Sequence, residues 1–245
     1  MKSSFFNSLV FIGSMVVGWV IFEFTLPKFI KDGGYLVISL IGLVIMLVTF
    51  IFERAMTLKK AAGKGPLTTF LKNVQVAVNN GDIDGAVGAC DKQRGSCANI
   101  IRTGLEKYKM LVEEGDIKGQ KEVMESVQGA IEEANMLEVP LLEKNLVMMS
   151  TIASIATMVG LLGTVIGMIR SFEAMARAGA PDAVQLALGI SEALINTAGG
   201  LVAGIGGIVA YNFFVTKIDN FTYMIDEASY AIVQSLATRK PSKGK

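Results

Sequence analysis

The sequence contains no histidine. That removes the commonest metal ligand and the side chain that ordinarily shuttles protons near neutral pH. Any proton chemistry therefore falls mainly to carboxylates. Cysteine is scarce too, with only Cys90 and Cys97. Their seven-residue spacing suits one helix face, but Gly95 lies between them, and no His or further Cys completes a metal set. They read as reduced, partly buried thiols in a reducing compartment. Charge of one sign is also missing. Lys and Arg number 23 against 22 Asp and Glu, a net +1, which argues against nucleic acid, a partner that wants a strong basic patch. No strand-like alternation of apolar and polar residues is present between residues 53 and 145. No nucleophile–base pair and no metal set can be picked out, so neither enzyme activity nor a cofactor is expected.

What is present is apolar. Hydrophobic residues make up 51% of the chain and mean hydropathy is +0.49, yet 18% of residues are charged. That combination implies a membrane part joined to a soluble part. Four stretches are long and apolar enough to cross a bilayer: residues 5–22, 35–52, 146–169 and 183–214. The first resembles a secretory signal, but its run is long and Gly18-Trp19-Val20-Ile21-Phe22-Glu23 offers no small-x-small cleavage site. It reads as a retained span. Arg54, Lys59, Lys60 and Lys64 follow the second span, and Lys217, Arg239, Lys240, Lys243 and Lys245 follow the fourth. Both flanks are expected on the cytoplasmic side. Lys28, Lys31, Arg170 and Arg177 on the opposite connections are fewer and lie among Asp32, Glu173 and Asp182.

The expected fold is an all-α membrane protein: four transmembrane helices with a helical cytoplasmic domain between the second and third. Five segments follow. Residues 1–34 hold the first span and a short periplasmic loop, 35–54 the second span, and 55–145 the cytoplasmic domain. Residues 146–215 form a helix pair, and 216–245 a cytoplasmic helix and tail. Within the soluble part Pro66 marks a helix start and Asn79-Asn80-Gly81 a stop. Amphipathic stretches at 82–90 and 96–111 break at Gly95 and at Glu114-Gly115. A further helix covers 122–142, with Pro140 as a kink or joint. Ile218, Phe221, Ile225, Ala228 and Ile232 recur at helical spacing, so the last span should extend as an amphipathic helix.

One acid stands out. Glu192 interrupts the fourth span, and ionisable side chains in such segments normally face a bundle interior or a water-filled path. Gln185, Gly189, Glu192, Asn196, Gly199, Ala203, Gly206 and Ala210 form a polar-to-small stripe at steps of three and four. The third span carries Ser150, Thr157, Thr164 and Ser171, each seven residues after the last and so close to one helix face. Gly163 and Gly167 form GxxxG, as do Gly200 and Gly204, which favours close backbone packing. Thr197 lies about 140° around the helix from Glu192, at 100° per residue. Two readings stand side by side: a lined proton route through these positions, or helix–helix glue with Glu192 tied structurally to Asn196 or to a hydroxyl of the third span.

Gly160-Leu-Leu-Gly-Thr164-Val-Ile-Gly167-Met and Gly189-Ile-Ser-Glu192-Ala-Leu-Ile-Asn-Thr197-Ala, followed by Gly-Leu-Val-Ala and Tyr211-Asn212, resemble the paired motifs of the MotA/TolQ/ExbB proton-channel family. The likeness is nearest to ExbB and covers residue 53 to about 236. It implies a homopentameric inner-membrane ring around the single spans of an ExbD-like dimer, coupling proton flow to a TonB-like protein that serves outer-membrane transporters. The family's functional Glu and two Thr map onto Glu192, Thr164 and Thr197, while Asn196, Ser150, Thr157 and Ser171 become pore or interface lining. The main titrating Asp would belong to the partner. Two departures are visible: Gly206 stands where many relatives have Pro, and four spans are counted where relatives commonly have three. Competing readings are a TolQ-like or gliding-type motor subunit and, in another class, a self-contained small transporter. The latter is disfavoured by the lack of internal repeat symmetry.

Overall fold

The computed structural model describes residues 2–114, 119–176 and 182–238, and every regular element among them is a helix. In chain order these are α1 (Lys2–Phe24), α2 (Lys28–Lys31), α3 (Leu36–Ala62), α4 (Leu67–Asn80), α5 (Ile83–Gln93), α6 (Ser96–Glu114), α7 (Gln120–Glu143), α8 (Leu146–Met175) and α9 (Ala183–Ala237). Among the described residues four helical stretches are long and apolar enough to cross a membrane, and they contain α1, α3, α8 and α9. The chain divides into two compact units.

The first unit comprises residues 1–54 and 145–214, and its packing follows from small residues. A Cβ added to Gly18 of α1 would lie 3.1 Å from the Gly42 backbone of α3, and one on Gly42 would meet Met15. These pairings set α1 and α3 antiparallel. Between α8 and α9 the partners are Gly160 with Gly200, Gly163 with Asn196, Gly167 with Ala193, and Gly204 with Thr157. Numbers rise along α8 as they fall along α9, so this pair is antiparallel and its backbones nearly touch. Leu40 reaches Gly199 and Leu47 reaches Gly207, which runs α3 parallel to α9. Large apolar side chains such as Met158, Leu161, Val165, Leu194, Val202 and Ile205 point outward. Along the α8–α9 seam small residues lie inside and large ones outside, as suits helices that associate in lipid by close van der Waals contact rather than by hydrophobic burial.

The stripe read from the sequence is offset in one respect. Gly200, Ala203 and Gly207 are buried, whereas Gly206 is exposed with nothing within 4 Å of an added Cβ. The seven-residue steps from Glu192 to Gly199 and Gly206 fall short of two full turns, so they drift off the contact face by about 20° each. At Gly206, therefore, the open space leaves room for a side chain.

The second unit comprises residues 55–144 and 215–245. Its helices alternate buried apolar positions with solvated ones: Phe70, Val74 and Val78 on α4, Ile100, Ile101 and Leu105 on α6, and Ile218, Phe221, Ile225 and Ile232 on α9 are core. Pro66 is the N-cap of α4, and Gly81 closes α4 in the left-handed conformation at φ 82°. Asp82 caps α5 by accepting from the Gly85 N–H at 2.8 Å. Gln93 donates to the carbonyls of Ala62 (2.9 Å) and Gly65 (3.1 Å), tying the α3–α4 connection to the end of α5. Gly63 there has φ 84° and a Cβ would lie 2.1 Å from the Arg94 carbonyl, so only glycine fits. Cys90 and Cys97 are free thiols in this core. Helix α7 runs through Pro140 and stops at Lys144; the break comes at Asn145, which adopts φ 66° ahead of α8. A proline near the end of a helix loses only one backbone bond, so the turn there survives.

Candidate functional site

The acid sits in the third turn of α9, roughly 14 Å along the axis from Ala183 at 1.5 Å per residue. Asp182 starts that helix by accepting from the Val184 and Gln185 N–H groups at 3.1 and 3.0 Å. Because α8 and α9 are antiparallel, the residues near their connection face each other. Glu192 is thereby brought beside Arg170. Nη1 of Arg170 donates to Oε1 at 2.6 Å and also to Oε2. The Glu192 side chain is 9% exposed and that of Arg170 is 56% exposed. Neither structural pairing considered for Glu192, with Asn196 or with a hydroxyl of the third span, is its main side-chain contact.

The α1–α3 hairpin closes over the carboxylate. Gly34 has φ 73°, and a Cβ there would lie 2.6 Å from Glu192 Oε1. Asn196, fully buried, holds the hairpin in place by donating Nδ2 to the Gly33 carbonyl at 2.7 Å and to the Glu192 carbonyl at 2.9 Å. Its Oδ1 is buried with no hydrogen-bond partner among the described residues. An unpaired acceptor at such a place is costly and calls for a donor. On the open side lies a cavity of about 360 Å3, lined by Asp32, Arg170, Glu173, Gln185, Leu188 and Glu192 among others.

The hydroxyls divide. Ser171 donates to the Gly167 carbonyl at 3.1 Å and to the Leu186 carbonyl of α9 at 3.2 Å. Thr157 bonds the Ala153 carbonyl at 3.1 Å, with its Oγ1 packed against Gly204. Thr197 bonds the Ala193 carbonyl at 3.1 Å and reaches the Gly160 carbonyl of α8 at 3.4 Å. Thr164 turns to the Leu161 carbonyl at 2.5 Å, and Ser150 to that of Val147 at 3.1 Å. Thus Thr157, Ser171, Thr197 and Asn196 meet at the α8–α9 seam with Gly163, Gly167, Gly200 and Gly204. Thr164 lies at the seam's edge and Ser150 further off, satisfied by its own helix. Arg170, Asp32 and Gly34 escaped the reading by sequence. No local signal marks Arg170: only the antiparallel packing of α8 on α9, with Ser171 against Gly189, sets it next to the acid.

Helical membrane proteins that move ions or protons carry buried acids of this kind, facing the bundle interior or a water-filled cavity. The model of the MotA/TolQ/ExbB proton channel family matches residues 92–227, more than half the chain, and the chain belongs to that family. It is 29% identical over 167 residues to a Tol-Pal system protein TolQ of Pseudomonas aeruginosa, covering 68% of this chain and 71% of that one. It is 40% identical over 85 residues to a biopolymer transport protein ExbB of Pseudomonas putida, 35% of this chain and 26% of the relative. An ExbB of Aquifex aeolicus is 39% identical over 77 residues, 31% of this chain and 52% of the relative. The chain therefore spans only a quarter to a half of these two ExbB proteins.

Proposed function

We propose that this chain is an ExbB-like proton-channel and stator subunit of a bacterial inner membrane. Five copies ring the single spans of an ExbD-like dimer, and proton flow through the assembly energises a TonB-like protein for outer-membrane active transport. The segment between α3 and α8 and the end of α9 lie in the cytoplasm, and the outward apolar side chains of α8 and α9 face lipid or neighbouring subunits. Protons enter past Glu192, pass Asn196 and the Thr164/Thr197 side of the seam, and reach a carboxylate on the partner helix. The single observation that carries this reading is Glu192: an acid enclosed by three helical segments, with an unpaired acceptor on Asn196 in the next turn. Each charge moved through 100 mV supplies about 2.3 kcal/mol, so several transfers drive one mechanical step.

Family membership and the ExbB matches support this reading, while the longer match to a TolQ protein favours a second one, a subunit that serves envelope maintenance. Replacing Glu192 by Gln should abolish proton-driven nutrient uptake while the ring still assembles, as native mass spectrometry would show. Uptake at the wild-type level in that variant overturns the proposal. Intact uptake in a deletion strain that has a leaking envelope selects the TolQ-like reading.

A further inference from the structure

Arg170 has no part in the proton path as set out so far, yet it makes the closest contact that Glu192 has. The carboxylate is enclosed on its other sides. Gly34 lies against Oε1, Asn196 fixes the hairpin above it through the Gly33 carbonyl, and the Gly189–Ser171 contact seals α9 against α8. What remains open is the cavity that also holds Asp32, Glu173 and Gln185, and the Arg170 guanidinium stands in that opening. One of its nitrogens touches both carboxylate oxygens. A guanidinium stays protonated at any working pH and offers donors only. While it is in place, it stands between both Glu192 oxygens and the cavity from which a proton would come.

The exposures say which partner moves. Glu192 is held inside, whereas more than half of the Arg170 side chain is already in the open. Asp32 from the α1–α3 connection and Glu173 from α8 line the same cavity, so the guanidinium has two other carboxylates to turn to without losing a counter-charge. The remaining polar group there, Gln185 of α9, is neutral. Lys31 points elsewhere, donating to the Glu23 carbonyl at 2.5 Å.

We infer that Arg170 is a latch on Glu192. Closed, it bars the acid from the cavity; turned towards Asp32 and Glu173, it frees the acid for a proton. This rests on the proton-channel reading and adds a positioning residue that makes entry conditional. The test uses the full complex with its partner in inverted membrane vesicles, reading proton leak with a pH-sensitive dye beside proton-driven work in cells. Arg170→Gln should raise the resting leak several-fold while driven work falls, and adding Glu192→Gln should return the leak to baseline. A leak unchanged in Arg170→Gln, or one that persists in the double variant, overturns the latch. If Arg170→Gln does not assemble, Arg170→Met decides: it keeps an unbranched apolar stem but removes the charged donor, so a raised leak supports the latch and a wild-type leak overturns it. The two proposals fail separately. Full driven work in Glu192→Gln alone sinks the channel reading, whereas loss of work there with a tight Arg170→Gln sinks only the latch.

Discussion

Two arginine–glutamate pairs stand at opposite ends of the membrane unit, and they are built the other way round from each other. At one end Arg54 is 1% exposed and its neighbour Glu53 24%. At the other the acid is buried and Arg170 is the open member. Arg54 donates to Glu53 through Nε at 2.8 Å and Nη2 at 2.6 Å, and Asn145 adds a contact to the same carboxylate at 3.3 Å. Adjacent residues on a helix do not normally face one another, so this pair forms only by the two side chains curling back to each other. Freeing Arg54 would leave a buried cation without its nearest counter-charge. Freeing Arg170 leaves an arginine already in the open. The first pair is thus a lock and the second an opening, although both are one ion pair between the same two residue types.

The largest expected effect breaks that comparison into stability and function. Glu53→Ala should cost about 1–3 kcal/mol, the range for taking a charged hydrogen-bond partner from a buried group, read as a lower melting temperature in detergent. The protein that survives should drive its work normally. Glu192→Gln should do the reverse, with driven work reduced more than tenfold and the melting temperature nearly unchanged. Equal melting losses in the two variants would erase the distinction.

A smaller effect tests how the two ends are closed. Each has a left-handed residue, Gly34 beside Glu192 and Asn145 beside Glu53. Gly34→Ala forces a side chain into φ 73° and sets its Cβ 2.6 Å from Oε1. The backbone strain alone is worth about 1–2 kcal/mol, and the displaced carboxylate should lose driven work several-fold. Asn145→Gly keeps the backbone conformation and loses only the 3.3 Å contact to Glu53. A change under about 1 kcal/mol is expected there, with driven work intact.

The reach of sequence reasoning follows the same division. The helices and the four apolar stretches were legible because hydrophobic runs, Gly81 and Gly95 signal locally. The small faces of α8 and α9 were legible as GxxxG. What local periodicity could not give was the partner of Glu192. Arg170 had been counted with the connection after the third span, whereas α8 continues through it to Met175. A charge at a span's end looks like an interface residue until the antiparallel register sets it against an acid from the next helix. Asp32 and Gly34 were invisible for a further reason: they come from the α1–α3 connection, and only the fold brings that segment to α9. The offset at Gly206 has the opposite cause, a local pattern extended too far along a helix.

The smallest effect at neutral pH concerns burial with no charge to satisfy. Cys90 and Cys97 are as enclosed as Arg54, but a thiol can answer burial by staying neutral. Desolvation, with Asp91 adding to it at Cys90, pushes both thiols from 9.0 up to about 12. At pH 8 a shift of roughly three units leaves about a thousandfold fewer thiolates than in the unfolded chain. Alkylation of the folded protein should accordingly be slow and become fast on denaturation; rapid native labelling would show these thiols to be open. Because the folded pKa values are raised, the unfolded chain binds fewer protons than the folded one only above about pH 9. The contribution of the thiols to stability is therefore complete below pH 9 and declines from there to about pH 12, so Cys90→Ser should flatten part of that alkaline loss. Glu192 is held in the opposite way, by a counter-ion that can leave. In the latch proposed above, that makes the acid end and not the thiol core the place where a change of partner is turned into work.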